Sequence, residues 1–294
     1  MRVFLLIFLL TSFNLYADDV DKAKVNILNK FTSSISSSLE NFIGGEGDTE
    51  VSITAGEDYK PEYSIMTVRP LSTHPGVDAW FVQLQLNDKK VRGSSRTSFN
   101  AGLGYRKLSE TKNSFVGANV FIDYDEEENS RASVGLELRS SSFEVLFNYY
   151  EATSNAKTVG LFTERALGGT EISLIGEIPY LPWANIIANH YEWEADKNSK
   201  NSRGDKISLE MTITPNLIVE AGLDDNNLSG TKNYGKILFV FPAREKASAS
   251  TQLVADTAFS QSDMSLELLS KVRRTNTIVI ESEGSGVQIS RAIE

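Results

Sequence analysis

The sequence predicts an all-β fold, a transmembrane antiparallel β-barrel of about twelve strands. Three observations predict it. From Thr49 to Phe241 the chain is a series of segments that alternate strictly between apolar and polar residues. No apolar helix face alternates with them, so nothing in the chain covers the apolar sides of a sheet. The links between segments are mostly short at one end and long and polar at the other, an asymmetry that an outer-membrane barrel has and a sandwich does not need.

The chain opens with "MRVFLLIFLLTSFNLYADD": an early cation, Arg2, an apolar run from Val3 to Leu10, and a small residue, Ala17, before two acids. This reads as a secretory signal peptide over residues 1–17, cleaved after Ala17. Over 18–47, Ile27, Phe31, Ile35 and Leu39 recur every four residues and Gly44–Gly45 follow, which predicts a short N-terminal periplasmic helix with a Ser-rich polar face.

The strands come next. In "TSFNAGLGYRKL", Phe99, Ala101, Leu103 and Tyr105 alternate with Asn100, Gly102, Gly104 and Arg106. "AWFVQLQLN", "FVGANVFIDY", "ASVGLELR", "FEVLFNYY", "EISLIGEI" and "KISLEMTI" alternate in the same way, whereas the segments near Ile65, Ile187 and Leu238 leave their faces ambiguous. Counted from Thr49, the links after even strands are "SETKN", "SSS", "PYLPW" and "TPN", with the longer "STHPGV" after the second as the exception. The links after odd strands include "DKKVRGSS", "DEEENS", "ATSNAKTVGLFTERALGG", "ADKNSKNSRGD" and "DDNNLSGTKN". The apolar faces then meet lipid, and closure leaves no unpaired backbone edge. Trp80, Tyr105, Tyr124, Tyr149, Tyr180, Trp183, Tyr191 and Trp193 lie near strand ends, as an aromatic girdle would. The polar faces line a lumen in which Arg106, Glu137, Arg139, Glu144, Glu177, Lys206 and Glu210 can pair with one another.

Composition excludes several functions. The formal charge of −10 disfavours broad nucleic-acid binding, and the absence of cysteine excludes disulfides and thiolate-ligated metals. His74 lies in a turn and His190 in a strand with no partner motif, so both read as structural or solvated. "DYDEEEN" lacks the glycine of a calcium loop and reads as a solvated hairpin tip. No nucleophile elbow or phosphate-cradling loop is present in the sequence, and neither an enzymatic activity nor a cofactor or metal is expected.

Five motifs in order carry a resemblance. "FNAGLGYR", with Gly102, Gly104 and Arg106, is followed by "FVGANVFIDYD", with Gly117, Asn119, Phe121 and Asp123. Then come "ASVGLELR", read with Arg131, Gly135 and Glu137, the segment "ERALGGTEISLIGEIPYLP", and "VRRTNTIVIE" from Val272 to Glu281. Together they resemble the β-domain of intimin and invasin, the inverse autotransporters. The resemblance implies a twelve-stranded barrel in the outer membrane of a Gram-negative bacterium, with the segment after the last strand re-entering the lumen and carrying a C-terminal passenger to the surface.

On this reading the signal peptide and helix precede a barrel over 48–242, and residues 243–294 form a linker through the lumen with a minimal surface tail. Leu266, Leu269 and Val272 predict a short helix in the linker, and Ile278 with Ile280 an extended piece. Its polar residues Arg273, Arg274 and Asn276 are expected to be held by the lumen's charges, above all Arg106, Glu137, Arg139, Glu177 and Glu210. No peptidoglycan-binding module precedes the helix and no immunoglobulin-like or lectin domain follows the linker, so an adhesin passenger is not expected. The expected partners are outer-membrane lipid, the barrel assembly machinery, periplasmic chaperones and a separately encoded surface partner. The alternative is a narrow or plugged outer-membrane pore, and a soluble periplasmic β-protein is a third reading.

Overall fold

The computed structural model describes residues 46–57, 59–91, 94–197, 200–259, 261–283 and 288–290. The signal peptide expected over 1–17, and all but the last two residues of the helix expected over 18–47, lie outside the described residues.

Twelve strands close into one antiparallel barrel. In chain order they are β1 (Thr49–Gly56), β2 (Tyr59–His74), β3 (Asp78–Val91), β4 (Ser94–Leu108), β5 (Ser114–Asp125), β6 (Ser130–Ser140) and β7 (Phe143–Ala152), then β10 (Gly169–Ile178), β11 (Leu181–Trp193), β12 (Ser202–Thr214), β13 (Leu217–Asn226) and β14 (Gly230–Phe241). Each pairs with its neighbours, and β1 closes the ring on β14 from Thr49↔Phe241 to Gly56↔Tyr234. Between β7 and β10 the chain forms a hairpin that is not part of the ring's ladder, β8 (Lys157–Val159) and β9 (Phe162–Ala166).

The alternation seen in the sequence becomes an outside and an inside. Ile122 and Leu136 are 65% and 62% exposed on the outer wall, while their neighbours Asp123 and Glu137 are 1% and 4% exposed toward the lumen. The strands with ambiguous faces are those with apolar residues on both sides. Met66 and Val68 on β2, Ala184 on β11, and Leu238 and Val240 on β14 are buried, with Met66 and Val68 packed on Phe81, Phe121 and Val272, and Leu238 and Val240 on Ile218 of β13.

Three expectations are corrected. The link after the second strand is no exception: β2 runs to His74 and β3 begins at Asp78, leaving a tight turn in which Gly76 adopts φ +72°, a conformation glycine reaches without penalty. "DKKVRGSS" and "DDNNLSGTKN" are mostly ladder rather than loop, because β3 pairs with β4 as far as Val91↔Ser94 and β13 with β14 as far as Asn226↔Gly230. Tyr191 and Trp193 do not belong to a girdle. They are buried inside with Tyr150, Leu167 and Val279, since the inward positions of β11 are its odd-numbered residues at that end. Trp80, Tyr124, Tyr149 and Tyr180 do face outward, and the Trp80 ring lies 4.9 Å from that of Tyr105.

Candidate functional site

The site is the lumen, and the chain that fills it arrives along the rim. After Phe241 the backbone runs past the short turns in succession. The amides of Arg244, Ala249 and Ser250 donate to the carbonyls of Pro215, Thr212 and Ile213. Ala255 and Tyr180 then bond through their backbones, Trp183 Nε1 donates to the Leu253 carbonyl, and the Met264 amide donates to the Lys112 carbonyl. Where this segment starts, Arg244 bonds Glu50 and Asp48. Burial by itself would lower the pKa of Arg244, but the carboxylates of Glu50, Glu267 and Asp48 reverse this and raise it. Burial raises the pKa of Asp48, against the pull of Arg244.

From Met264 the chain enters the barrel. A single 3₁₀ turn, Met264–Glu267, is capped by the side chain of Asp263. The predicted helix is therefore shorter than expected, and Leu266, placed on its buried face, is 64% exposed. Its work is done by Met264 and Leu268, which pack on Ala79, Leu108 and Phe115, with Leu269 against them. Nine consecutive residues, Arg274 to Ser282, are then buried. An extended chain normally shows one face to solvent, so burial on both faces means that protein surrounds it. At ~3.3 Å per residue they span about 30 Å, a membrane's hydrocarbon thickness.

What holds this segment is mostly charge-assisted hydrogen bonding. Arg274 makes a two-pronged pair with Asp123 on β5, at 2.7 and 2.9 Å, and its guanidinium lies 4.4 Å from the centre of the Phe121 ring. Asp123 also receives Arg131 at 2.9 Å, and Arg131 donates to the Thr275 carbonyl. Arg273 reaches across to Glu210 on β12, at 2.8 and 2.9 Å. Arg106 is fully buried. It pairs with Glu137 at 2.6 Å and also donates to the carbonyls of Leu268 and Ser270. Arg139 shares Glu137 and donates to the Lys271 carbonyl.

Neutral groups complete the set. The Gln83 amide reads both backbone groups of Val272. Asn100 donates to the Asn276 carbonyl and Asn148 to that of Arg273, while the Thr275 amide meets Tyr150 Oη and Glu171. A buried guanidinium or carboxylate is tolerated only with this degree of pairing.

Glycines on the inner wall make the room. A Cβ on Gly104 would collide with the Phe81 ring, on which Arg106 stacks at 4.5 Å, and one on Gly117 would lie 2.5 Å from Glu137 Oε1.

At the loop end the linker becomes a strand again. β15 (Ile280–Glu283) pairs antiparallel with β9 from Ile280↔Ala166 to Glu283↔Thr163, and β16 (Gln288–Ser290) pairs with β15. The result is a second, four-stranded sheet in the order β16-β15-β9-β8, not hydrogen-bonded into the ring. The Glu281 carboxylate accepts the amides of Asp196 and Lys197, and Arg165 bridges Asp196 and Glu283. Beneath it, Glu164 holds Arg96 at 2.7 Å.

Of the residues singled out in the sequence, the structure brings Arg106, Glu137 and Arg139 into one cluster with the linker backbone, joins Arg273 to Glu210, and sets Arg274 and Asn276 in mutual contact beside Asp123. Glu177 is buried on the inner wall at the short-turn end of β10. Sequence reasoning named Asp123 and Arg131 as motif residues without assigning them to the linker, and it missed Glu171, Gln83 and the pair of Glu50 with Lys271, at 2.8 Å. Asp123 was within reach, since it stands on the polar side of its segment and two adjacent arginines entering a lumen need more than one acid. His190, with no partner nearby in sequence, meets Asp205 at 2.8 Å across the β11–β12 ladder on an exposed face.

The family model described as "Inverse autotransporter, beta-domain" matches residues 9–276. No curated protein matches the chain. Among solved structures, a chain from work on the mechanism of in-meso crystallization of membrane proteins is similar at 20% identity and a TM-score of 0.64, over 81% of this chain and 99% of its own. The KdgM porin in complex with disordered oligogalacturonate is 7% identical, with a TM-score of 0.47 over 65% of this chain and 98% of its own. Outer membrane phospholipase A from Escherichia coli is 11% identical, with a TM-score of 0.43 over 66% of this chain and 89% of its own. The first shares the barrel fold.

Proposed function

Since the chain belongs to the inverse autotransporter β-domain family and is thus an outer-membrane β-barrel, we propose that it anchors and exports its own C-terminal segment. In this reading the short turns face the periplasm and the loops face outward. Residues 243–263 run along the periplasmic rim, residues 264–282 occupy the lumen, and the tail beyond emerges at the surface. The observation that carries the reading is the buried run from Arg274 to Ser282, continued by β15 in a sheet with the loop hairpin β8–β9.

The chemistry suits a conduit that grips its cargo. Arg106, Arg131 and Arg139, each also paired with a wall carboxylate, donate to linker carbonyls, groups that any sequence supplies, whereas Asp123 and Glu210 read the two arginines. The first set can hold a chain during passage and the second fixes where it stops. The barrel performs no reaction in this account. Its partners are outer-membrane lipid, the assembly machinery and chaperones that deliver such barrels, and a separately encoded surface protein met by the tail.

An epitope placed after Glu294 tests the proposal. Antibody should label it on intact cells. If labelling requires permeabilised outer membranes, the tail is periplasmic and the barrel is a plugged pore.

A further inference from the structure

The linker does not fill the lumen evenly. Between Leu268 and Asn276 its backbone is held by side chains of β3, β4, β6, β7 and β10. Between the linker and β1, β2 and β11–β14, and bordered also by residues of β3 and β10, a chamber of about 130 Å³ remains. Hydroxyls, amides and charges line it, among them Ser52, Thr54, Asn189, Ser208, Lys236 and Glu220. A cavity of that polarity and size holds water rather than vacuum.

Two linker side chains cross this gap, both toward the short-turn end. Lys271 Nζ meets Glu50 Oε2 at 2.8 Å, and Arg273 meets Glu210. Glu50 is the second residue of β1, and its other oxygen accepts Arg244 of the rim segment, which also reaches Asp48. Beside these bridges Ile218, Leu238 and Val240 form a buried apolar cluster. Glu50 therefore joins the wall, the linker and the rim segment at one point, and it is 3% exposed.

We infer that the occupied barrel retains a hydrated chamber beside its linker, in communication with the loop side, and that the Lys271–Glu50–Arg244 bridge is the seal preventing small ions from passing through it. Removing the bridge opens a path without displacing the linker. The inference rests on the occupied lumen and not on export, so the labelling experiment above can fail while this one succeeds.

The test is single-channel conductance of the full chain in planar bilayers. Glu50→Ala is expected to raise conductance at least threefold over the natural protein, and Arg244→Met, which leaves every strand residue in place, to raise it in the same direction. Thr54→Trp added to Glu50→Ala fills the chamber from β1 and should return conductance to the starting level. Because the protein has no cysteine, Thr275→Cys in each background reports the linker's position by its protection from a maleimide. The inference is overturned if neither variant raises conductance, if the natural protein already conducts as Glu50→Ala does, if Thr54→Trp leaves the raised conductance unchanged, or if Cys at position 275 becomes labelled whenever conductance rises.

Discussion

The two halves of the barrel wall do different work. Strands β3 to β7, with β10, hold the linker backbone through paired charges and amides; β1, β2 and β11 to β14 meet it through the Lys271 and Arg273 bridges and through Met66 and Val68 packed on Val272, beside a polar chamber that β3 and β10 also border. Both halves carry apolar residues inward, Phe81, Phe115, Phe121 and Leu146 on the gripping half and Met66, Val68, Ile218 and Leu238 on the opposite half. What sets the gripping half apart is the row of Arg106, Arg131, Arg139, Gln83, Asn100 and Asn148 that bonds the linker backbone.

The sharpest break in this comparison is Asp123→Ala. It strands two buried guanidiniums, Arg131 and Arg274, and breaking a buried pair in this way costs about 3–5 kcal/mol. Glu220→Gln on the chamber side, where the carboxylate accepts from the hydroxyls of Ser208 and Tyr234, should cost about 1 kcal/mol. Urea unfolding in lipid vesicles measures both, and equal losses would erase the distinction between the halves.

Leu136→Arg on the outer wall should cost roughly 2–4 kcal/mol in the same assay, the price of a cation at mid-bilayer depth. Thr54→Arg, at the chamber, should lack that loss.

Gly104→Ala should cost about 1–3 kcal/mol by forcing the Phe81 ring out of place. Gly176→Ala, whose Cβ would have nothing within 4 Å, should stay within about 0.5 kcal/mol.

The smallest effect belongs to the loop end. Glu283→Gln loosens one partly exposed pair with Arg165 and should change stability by less than about 1 kcal/mol. Glu281→Gln weakens the bonds to the Asp196 and Lys197 amides. It should lower hydrogen-exchange protection of the β15 amides more than Glu283→Gln does.

Where the sequence was readable follows from the same asymmetry. β4 to β7 alternate legibly because one side meets lipid and the other carries mostly small, amide or charged residues, with Phe115, Phe121, Leu146 and Tyr150 as the large inward residues among them. The faces of β2 and β14 could not be read because Met66, Val68, Leu238 and Val240 are apolar and inward, packed on Val272 or on each other, so both faces look alike at the level of residue type. Tyr191 and Trp193 misled for the same reason, since an aromatic near a strand end looks the same whether it faces lipid or Val279. The charged residues of the linker and wall could be chosen from the sequence, but their pairing could not. Arg274 meets Asp123 across 151 positions of chain, a contact fixed by register and closure alone.

The buried run of the linker also has a mechanical meaning. A pull on the emerging tail acts along the linker's axis. The bonds to β3, β4, β6, β7 and β10 are spread along that axis and attached to separate strands of a closed ring, so they are loaded together rather than one after another. The β9–β15 ladder lies along the same line at the exit and is sheared, not peeled, by an outward pull on β15. Load is then shared within the barrel before it reaches the exposed rim segment. A force spectrum of the surface tail is expected to show one high rupture event instead of a staircase of small ones.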